Sequence, residues 1–366
     1  MSKVSILMSV YNGTQHLNKA VESILEQTFS DFEFVIVDDG STDNSWQLLT
    51  DYAAQDSRIV LIQNEKNIGL ERSLNKGLSK CKGEYLARQD ADDISFPNRL
   101  ELQTQFLDTH PEVGALGTAV ELINQTGAFI GKDYLPPDHD SLQALLFFNN
   151  FMHHSTLMAR RQLMQDAGGY NINLRYAEDY DLWWRLSRLS QLATLPETLL
   201  YRRMDDSPRI SKLHREAQLL CSFKISLRAV QESLGNQALN VEAYERFWWS
   251  YLKLLDQPAY KQFWQSRHGQ QGLMTSKDIQ RLQPVWNLLA NHRGGAKVWG
   301  SRLQQLAYHL LRNQQTIEGI QLLRITTQLL KTPIHWETAI KALIRPYIPS
   351  PEHQIWQIWK TKQVGN

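Results

Sequence analysis

Residues 85–93 have the sequence YLARQDADD, a strand-like apolar start that ends with three carboxylates in four positions. Carboxylates this close repel one another and resist burial, so the acidic cluster at 90–93 indicates a positive partner. Hard divalent cations are commonly bound by one or two carboxylates together with phosphate oxygens and water. The alternative is an acidic turn that caps the helix following Pro97, since Asp is common in turns and at helix N-caps.

The composition indicates a globular protein of two domains. The chain has 366 residues, of which 42% are apolar, and a formal net charge of +1. It therefore has a substantial core and no basic excess of the kind that nucleic-acid binding requires. Cys81 and Cys221 form neither a disulfide framework nor a CxxC pattern, and no apolar run is long enough to span a bilayer. We expect a cytoplasmic protein without a leader, because the chain begins directly with a strand pattern.

Strand and helix patterns alternate up to the acidic cluster. Apolar strands are predicted at 4–10, 32–37, 58–62 and 84–88, and the segments between them have the three- and four-residue spacing of amphipathic helices. Short βαβ connections predict a Rossmann-like, mostly parallel sheet in a three-layer α/β domain. Ligands of such sheets lie beyond the carboxyl ends of the strands. The candidate binding residues that fall at those ends are Tyr11, Asp38, Asp39 and the acidic cluster.

The pattern changes after the acidic cluster. We predict a helix over 97–107, a hairpin over 113–130, a strand over 153–158 and a helix that begins with Glu178 and Asp179. Beyond a linker-like stretch at 205–208, the predicted elements are all helices, at 213–234, 241–255, 260–266, 276–289, 296–311 and 316–330. The predicted domains are an α/β domain at 1–205, with a first half at 1–95 and a second half at 96–205, and an all-α domain at 206–366.

Six short motifs occur in an order that closely resembles the family 2 glycosyltransferases. They are YNG at 11–13, VDDGSTD at 37–43, NIG at 67–69, DADD at 90–93, GGY at 168–170 and EDYDLW at 178–183. The resemblance covers roughly the first 200 residues, about the size of one domain. It implies the GT-A fold of bacterial inverting enzymes that use a nucleotide-sugar as donor, with a nucleotide-sugar half at 1–95 and an acceptor half at 96–205.

The resemblance implies that the first two motifs hold the nucleotide. Tyr11 would pack on the base or ribose, and Asp38 and Asp39 would accept hydrogen bonds from the base and the ribose hydroxyls, with Asp39 favoured on the base. An ordinary buried tyrosine and an Asx turn are the alternatives for these positions. Asn67, Gly69 and Arg72 would line the same site from the turn after the third strand; plain turn chemistry with a solvated arginine is the alternative.

Asp90-Ala91-Asp92 matches the DxD motif of the family. This implies that Mn²⁺ or Mg²⁺ bridges the two donor phosphates, with Asp92 as the main ligand and Asp90 as a second ligand or a partner of hydroxyls and water. Asp93 is predicted to cap the following helix. Arg88 is predicted to pair with the acidic cluster or with phosphate.

Glu178 and Asp179 match the acidic pair of the family, and Asp179 occupies the position of the general base. An acceptor hydroxyl is a poor nucleophile until a base takes its proton. The alternative is that both are acids favoured by the dipole at the start of a helix. Asp181 is predicted to be solvent-facing or structural.

The remaining histidines and tryptophans of interest need an interpretation. His153 and His154 lack the spacing of a zinc site and are predicted to be structural. Trp183 is predicted to lie in the core, with Trp184 nearer the acceptor. The tryptophans of the C-terminal part are predicted to pack between helices, and a peripheral contact with the membrane surface, together with Lys341, Arg345 and Lys360, is a further hypothesis.

The expected reaction is therefore transfer of a hexosyl or N-acetylhexosaminyl group. The donor would be a nucleotide-sugar, with UDP favoured, and the acceptor a saccharide or lipid-linked saccharide of surface polysaccharide synthesis. A nucleotidyltransferase is one alternative, although no Gly-rich phosphate loop occurs near Tyr11. A sugar-nucleotide-binding protein without catalysis is another, although Asp92 and Asp179 are both in place.

Overall fold

The chain divides into two compact units, Met1–Gly235 and Asn236–Asn366. The computed structural model describes residues 2–204, 214–254, 274–312, 315–328, 330–331 and 338–339. The first unit contains a mixed sheet with helices. The described part of the second unit is helical.

A sheet of nine strands, counted over the described residues, forms the centre of the first unit. The strands are β1 (Val4–Val10), β2 (Phe32–Asp38), β3 (Ile59–Gln63), β4 (Tyr85–Arg88), β5 (Ile94–Ser95), β6 (Val113–Ile123), β7 (Phe129–Asp133), β8 (Met158–Arg160) and β9 (Gln191–Arg203). Their order is β3-β2-β1-β4-β8-β6-β9-β5, and β7 pairs with β6. Strands β1 to β4, β6 and β9 all run in one direction, because β8 is antiparallel to both β4 and β6. Their carboxyl ends therefore share one edge, called the carboxyl rim below.

Helices cover this sheet and supply its apolar layers. They are α1 (Leu17–Leu25), α2 (Ser45–Gln55), α3 (Leu70–Leu78), α4 (Arg99–Thr109), α5 (His139–Leu146), α6 (Arg161–Asp166), α7 (Glu178–Leu189) and α8 (Arg215–Leu234). In α1 the residues at helical spacing, Leu17, Val21 and Ile24, are buried against the sheet core. Strands β1 and β2 are almost wholly buried, as expected for parallel strands covered on both faces. The predicted α/β architecture is confirmed.

The second half of the sheet differs from the prediction in two places. The strand predicted over 153–158 is a short 3₁₀ helix, His154–Thr156, followed by β8. Strand β9 is absent from the prediction because its sequence mixes polar residues with Pro196. The pairing with β6 accommodates that proline by a bulge, since Thr118 pairs with Leu195 and the next residue, Ala119, pairs with Thr198.

The described part of the second unit consists of helices at the predicted places. They are α9 (Val241–Leu254), α10 (Ser276–Arg281), α11 (Gln283–Asn291), α12 (Gly295–Arg312) and α13 (Thr316–Gln328). Trp248, Trp286 and Trp299 are fully buried, which confirms their packing role. The predicted helix at 260–266, Trp264, and the hypothesised membrane contacts of Lys341, Arg345 and Lys360 lie outside the described residues. None of the helices in the described ranges is both long and apolar enough to cross a bilayer.

Helix α8 packs on α7 and the loop after α5, which places it in the first unit. Trp184 Nε1 donates to Glu232 Oε2 at 2.8 Å, and Ser226 Oγ donates to the Phe147 carbonyl at 2.8 Å. The compact unit that contains α8 ends at Gly235, and the domain boundary at 205/206 stays a prediction. Trp184 is 1% exposed, so its predicted place near the acceptor is wrong: its ring fills the contact with α8.

Asp181 is a structural residue and is not solvent-facing. Its side chain is fully buried and accepts from Arg185 Nε at 2.7 Å and from Arg228 Nη2 at 2.5 Å. Arg185 also donates to the carbonyls of Ala167 and Gly169. One carboxylate therefore joins α7, α8 and the loop that precedes α7.

We predict that Asp181→Asn lowers the free energy of unfolding by about 3 kcal/mol, because removing one partner of a buried ion pair leaves the others uncompensated. Thermal unfolding of the full chain measures the change. Asp166→Asn is the matched control, because Asp166 is exposed and its side chain accepts a hydrogen bond, among the described residues, from Gln162 alone. Equal midpoints for the two variants would contradict the structural role of Asp181.

Candidate active site

Two loops at the carboxyl rim, after β1 and after β2, are tied together by hydrogen bonds around residues 11–14. Asn12, held at φ 52°, donates from its backbone to Ser41 Oγ at 3.0 Å and accepts from Thr42 N at 2.8 Å. Thr14 N donates to Asp43 at 3.2 Å. These bonds fix the position of Tyr11, whose side chain is 47% exposed. An ordinary buried tyrosine is thereby excluded, and the ring is available to a ligand.

Asp38 and Asp39 are both buried but differ in what their oxygens contact. Asp38 Oδ1 accepts from Ser41 N at 3.1 Å, the Asx-type bond of the alternative interpretation, whereas its buried Oδ2 has no hydrogen-bond partner among the described residues. Asp39 Oδ1 accepts from Asn64 Nδ2 at 2.8 Å and from Ile68 N at 2.9 Å, and its Oδ2 accepts from Gly69 N at 3.0 Å. A carboxylate has about four acceptor positions. Asp38 can therefore offer one whole oxygen to a ligand, and Asp39 can offer about one acceptor position.

The turn between β3 and α3 is held against the Asp38–Ser41 loop. A Cβ at Gly40, which has φ 71°, would lie 2.5 Å from the backbone of Lys66, so only glycine fits. Gly69, at φ 98°, precedes α3. The side chains of Asn67 and Arg72 are exposed, and neither makes a hydrogen bond or ion pair with another described residue. Both are open to a ligand or to solvent, so the two predicted alternatives remain.

The DxD segment begins at a buried ion pair. Arg88, 1% exposed, donates from Nη2 to Asp90 Oδ1 at 2.6 Å and from Nη1 to the Leu7 carbonyl at 3.3 Å. This is the predicted pairing of Arg88 with the acidic cluster. Ala91 and Asp92 follow in the turn and are half-buried, and the Asp92 carbonyl accepts from Arg203 Nε at 3.2 Å.

Asp93 does not cap the following helix, which begins at Arg99 with Asn98 before it. It is buried, and it accepts from Ser155 Oγ and, at 2.9 Å, from Arg203 N. Burial raises the pKa of Asp93 to about 7, and the charges of Asp92 and Asp90 add to this effect. The capping prediction failed because the chain forms β5 before α4 begins, so that Asp93 lies too early.

His154 and Tyr170 line the site beside Arg88. His154 Nε2 lies 2.9 Å from the Tyr170 hydroxyl, and burial together with the Arg88 charge lowers the pKa of His154 to about 3. The imidazole is neutral at physiological pH. His153 lies against Asp133, with Nε2 3.2 Å from Oδ2, and burial lowers its pKa as well. Both pKa shifts favour the neutral imidazole, in agreement with the structural interpretation.

The carboxylates of Asp90 and Asp92 fit a divalent cation that takes most of its coordinating oxygens from a bound phosphate ligand and from water. Asp90 and Asp92 are partly exposed, and Arg88 occupies only one oxygen of Asp90. No group of three or more His, Cys, Asp and Glu side chains converges among the described residues. Mg²⁺ suits such a site, since it is usually bound by one or two carboxylates together with phosphates and water. A cage made by the described side chains alone is not present.

Glu178 and Asp179 begin α7, and burial raises the pKa of both. The pKa of Glu178 is about 8, with the neighbouring charge of Asp179 adding to burial. The pKa of Asp179 is about 6; burial raises it, the charge of Asp90 adds to this, and Arg202 opposes it. Asp179 Oδ1 accepts from Tyr180 N at 2.7 Å and its Oδ2 accepts from Asn150 Nδ2 at 2.8 Å. At pH 7 Asp179 is the carboxylate of this pair that can accept a proton.

Two residues of the site were missed by the sequence analysis. Arg202 on β9 acts electrostatically on Asp90, Asp179 and Asp133, and its Nη1 lies 3.3 Å from His153 Nδ1. Asn150 comes from the loop after α5 and bonds to Asp179. Neither belongs to the six motifs, and only the missed strand β9 could have drawn attention to Arg202.

Comparison with known proteins identifies the class. The model of Glycosyl transferase family 2 matches residues 5–167. An uncharacterized glycosyltransferase of Haemophilus influenzae is 33% identical over 223 residues, which are 58% of this chain and 69% of the relative. The chain therefore belongs to the family 2 glycosyltransferases, and it is a transferase of sugars.

Relatives with more specific names also match. The putative glycosyltransferase EpsE of Bacillus subtilis is 36% identical, over 56% of this chain and 74% of its own length. The O-antigen biosynthesis glycosyltransferase WbnJ of Escherichia coli is 35% identical, over 51% and 72%.

Solved structures share the fold. S. aureus TarS 1–349, determined in complex with UDP-GlcNAc, aligns with a TM-score of 0.57 at 16% identity, over 91% of this chain and 93% of TarS 1–349. At this identity the likeness shows the fold alone. Together with the family match, it confirms the prediction of a GT-A fold followed by C-terminal helices.

We predict that Asp39→Ala destabilises the protein more than Asp38→Ala. The first substitution leaves the amides of Ile68 and Gly69 without their acceptor, at an expected cost of about 2 kcal/mol, whereas the second removes one hydrogen bond worth about 1 kcal/mol. Thermal unfolding midpoints of both variants measure this difference. A larger shift for Asp38→Ala would mean that the turn does not depend on Asp39.

Proposed function

We propose that this transferase moves a sugar, with inversion, from a nucleotide-sugar to a saccharide or lipid-linked saccharide acceptor in surface polysaccharide synthesis. The observation that carries the proposal is Asp179, a carboxylate with a pKa of about 6 that lies within the electrostatic reach of the DxD residue Asp90. Activation of an acceptor hydroxyl requires a base whose pKa lies near neutral pH and that is close to the donor diphosphate.

The contact of the C-terminal part with a membrane surface and the domain boundary at 205/206 stay predictions.

The names of relatives support the choice of substrates. WbnJ is named for O-antigen biosynthesis and AmsE of Erwinia amylovora for amylovoran biosynthesis, which are both polysaccharides. TarS has been determined with UDP-GlcNAc. We therefore favour a UDP-sugar that carries a hexose or N-acetylhexosamine. Membership in the glycosyltransferase family favours sugar transfer over the nucleotidyltransferase and non-catalytic alternatives.

The donor nucleotide would bind along the two tied loops and the turn after β3. The exposed ring of Tyr11 would stack on the base or ribose, and the free oxygen of Asp38, with the remaining position on Asp39, would accept from base N–H and ribose hydroxyls. Gly69 would permit close approach of the backbone. Asn67 and Arg72 would contact the nucleotide from the same turn.

The donor diphosphate would lie at the DxD turn. Asp90 and Asp92, on either side of Ala91, would hold Mn²⁺ or Mg²⁺, which when bound offsets the charge that develops on the leaving nucleoside diphosphate. Arg202 adds a protein-borne positive charge on the side of Asp179. Arg88 is committed to Asp90 and Leu7 and would keep the turn in place.

The transfer would be a single displacement at the anomeric carbon. The acceptor oxygen attacks opposite the phosphate, a new C–O bond forms as the C–O bond to phosphate breaks, and the hydroxyl proton passes to Asp179. Attack from the opposite face inverts the configuration. Glu178, with a pKa of about 8, is protonated at pH 7 and leaves this role to Asp179.

We predict that Asp179→Asn keeps donor binding and lowers transfer by about 100-fold or more, because only the proton acceptor is lost. Transfer by the unaltered enzyme should fall as the pH drops through about 6, since protonated Asp179 cannot act as a base. Release of UDP from a panel of UDP-sugars, with calorimetry of UDP binding as the control, tests both statements. Near-normal turnover of Asp179→Asn would remove Asp179 from the role of base.

We predict that Asp92→Ala abolishes metal-dependent donor binding, whereas Asp43→Ala, a change at the last residue of the second motif, leaves the metal dependence intact. Calorimetry of UDP with and without Mn²⁺ measures this. If the unaltered protein binds UDP equally well in both conditions, the assignment of a metal to Asp90 and Asp92 is wrong.

A further inference from the structure

Asn150 lies in the loop between α5 and the 3₁₀ helix, outside all six motifs, and contacts the proposed base directly. Its Nδ2 donates to Asp179 Oδ2 at 2.8 Å. We propose that Asn150 is a positioning residue that holds the Asp179 carboxylate in the orientation in which it takes the acceptor proton. This inference rests on the proposed function, in which Asp179 is the base.

The side-chain amide of Asn150 can have only one orientation. Its Oδ1 accepts from Met152 N at 2.9 Å, and its own backbone N–H is bound by Asn149 Oδ1 at 2.9 Å. If the amide were turned over, its NH₂ would face the Met152 N–H and its oxygen would face a carboxylate oxygen. Both contacts would be repulsive, because donor would meet donor and acceptor would meet acceptor. The loop therefore presents an N–H donor to Asp179.

The two hydrogen bonds of Asp179 fix the plane of its carboxylate without using all of its acceptor positions. Oδ1 takes the Tyr180 N–H and Oδ2 takes Asn150, one bond on each oxygen, whereas a carboxylate has about four acceptor positions. A position remains on either oxygen for a hydroxyl. The end of α5, from which this loop leaves, is also joined to α7, because Tyr180 OH donates to the Leu146 carbonyl at 2.7 Å. The loop after α5 and the start of α7 thus keep a constant spacing.

A hydrogen bond from a neutral amide favours the ionised carboxylate and so opposes the effect of burial. The charged and titratable groups that face Asp179 in the described part of the chain are Glu178 on its own helix, Asp90 after β4, Arg202 on β9 and Tyr170. Arg202 is the only cation among these four. Loss of the Asn150 bond should therefore raise the pKa of Asp179, because nothing else named here replaces its donor.

The test compares three variants of the full chain. Asn150→Asp keeps the acceptor for Met152 N but places a carboxylate against Asp179, and Asn150→Ala removes the donor. Asn149→Asp is the matched control: it adds the same charge one residue away, and it keeps an acceptor for the backbone N–H of residue 150. Protein labelled with ¹³C at the aspartate carboxyl carbon is titrated by NMR, and the Asp179 signal is identified by its absence in Asp179→Asn.

We expect Asn150→Asp to raise the pKa of Asp179 by at least one pH unit, Asn150→Ala to raise it by less, and Asn149→Asp to leave it within a few tenths. The acidic limb of the pH profile for UDP release from UDP-GlcNAc should move in the same direction. An Asp179 pKa that is the same in all three variants would overturn the positioning role. If Asp179→Asn instead retains normal turnover while the NMR shifts appear, Asp179 is not the base and the role of Asn150 in proton transfer is overturned with it; only the hydrogen bond between Asn150 and Asp179 is then confirmed.

Discussion

The carboxyl rim depends on the buried ion pair between Arg88 and Asp90. A guanidinium that is 1% exposed is stable only where its charge is matched, and Asp90 provides the match at 2.6 Å. Arg99, itself fully buried, donates to the Arg88 carbonyl at 2.8 Å and so fixes the end of β4. With the Arg88 guanidinium held there, three aspartates can follow within one turn of the chain. The rest of the site is arranged around that turn: Ser155 and Arg203 bind Asp93, while His154 and Tyr170 lie within the electrostatic reach of Arg88.

Local pattern was sufficient to predict the first half of the sheet and the family. The apolar runs of β1 and β2 and the spacing of Leu17, Val21 and Ile24 are properties of short segments, so a parallel α/β domain followed from them. The same is true of Trp183, which is buried as helical spacing indicated. Strand β9 was missed because its polar composition and Pro196 oppose an isolated strand. Its pairing with β6 along most of its length, and with β5 near its end, stabilises it.

Contacts between distant parts of the chain account for the errors within the site. Asp93 was assigned to a helix cap because local sequence shows an acid near a helix start, whereas its partners include Arg203, 110 positions away. Trp184 was placed near an acceptor because its partner, Glu232, comes from a helix that local sequence assigned to another domain. Asn150 and Arg202 carry no motif at all, and only folding brings them to Asp179 and Asp90. The roles of Tyr11, Asn67 and Arg72 stay predictions. Exposure excludes an ordinary buried tyrosine at position 11, whereas it leaves both alternatives open for Asn67 and Arg72.

Helix α8 has a consequence for any attempt to isolate the catalytic part of this chain. A fragment cut at the end of β9 would expose the indole of Trp184, remove one of the two arginines that neutralise Asp181, and loosen α7, whose first turn carries Asp179. The smallest self-sufficient enzyme should therefore extend through Gly235. Limited proteolysis that spares this helix would leave a working catalytic core, and family members shortened before it would need another element to shield the same face of α7.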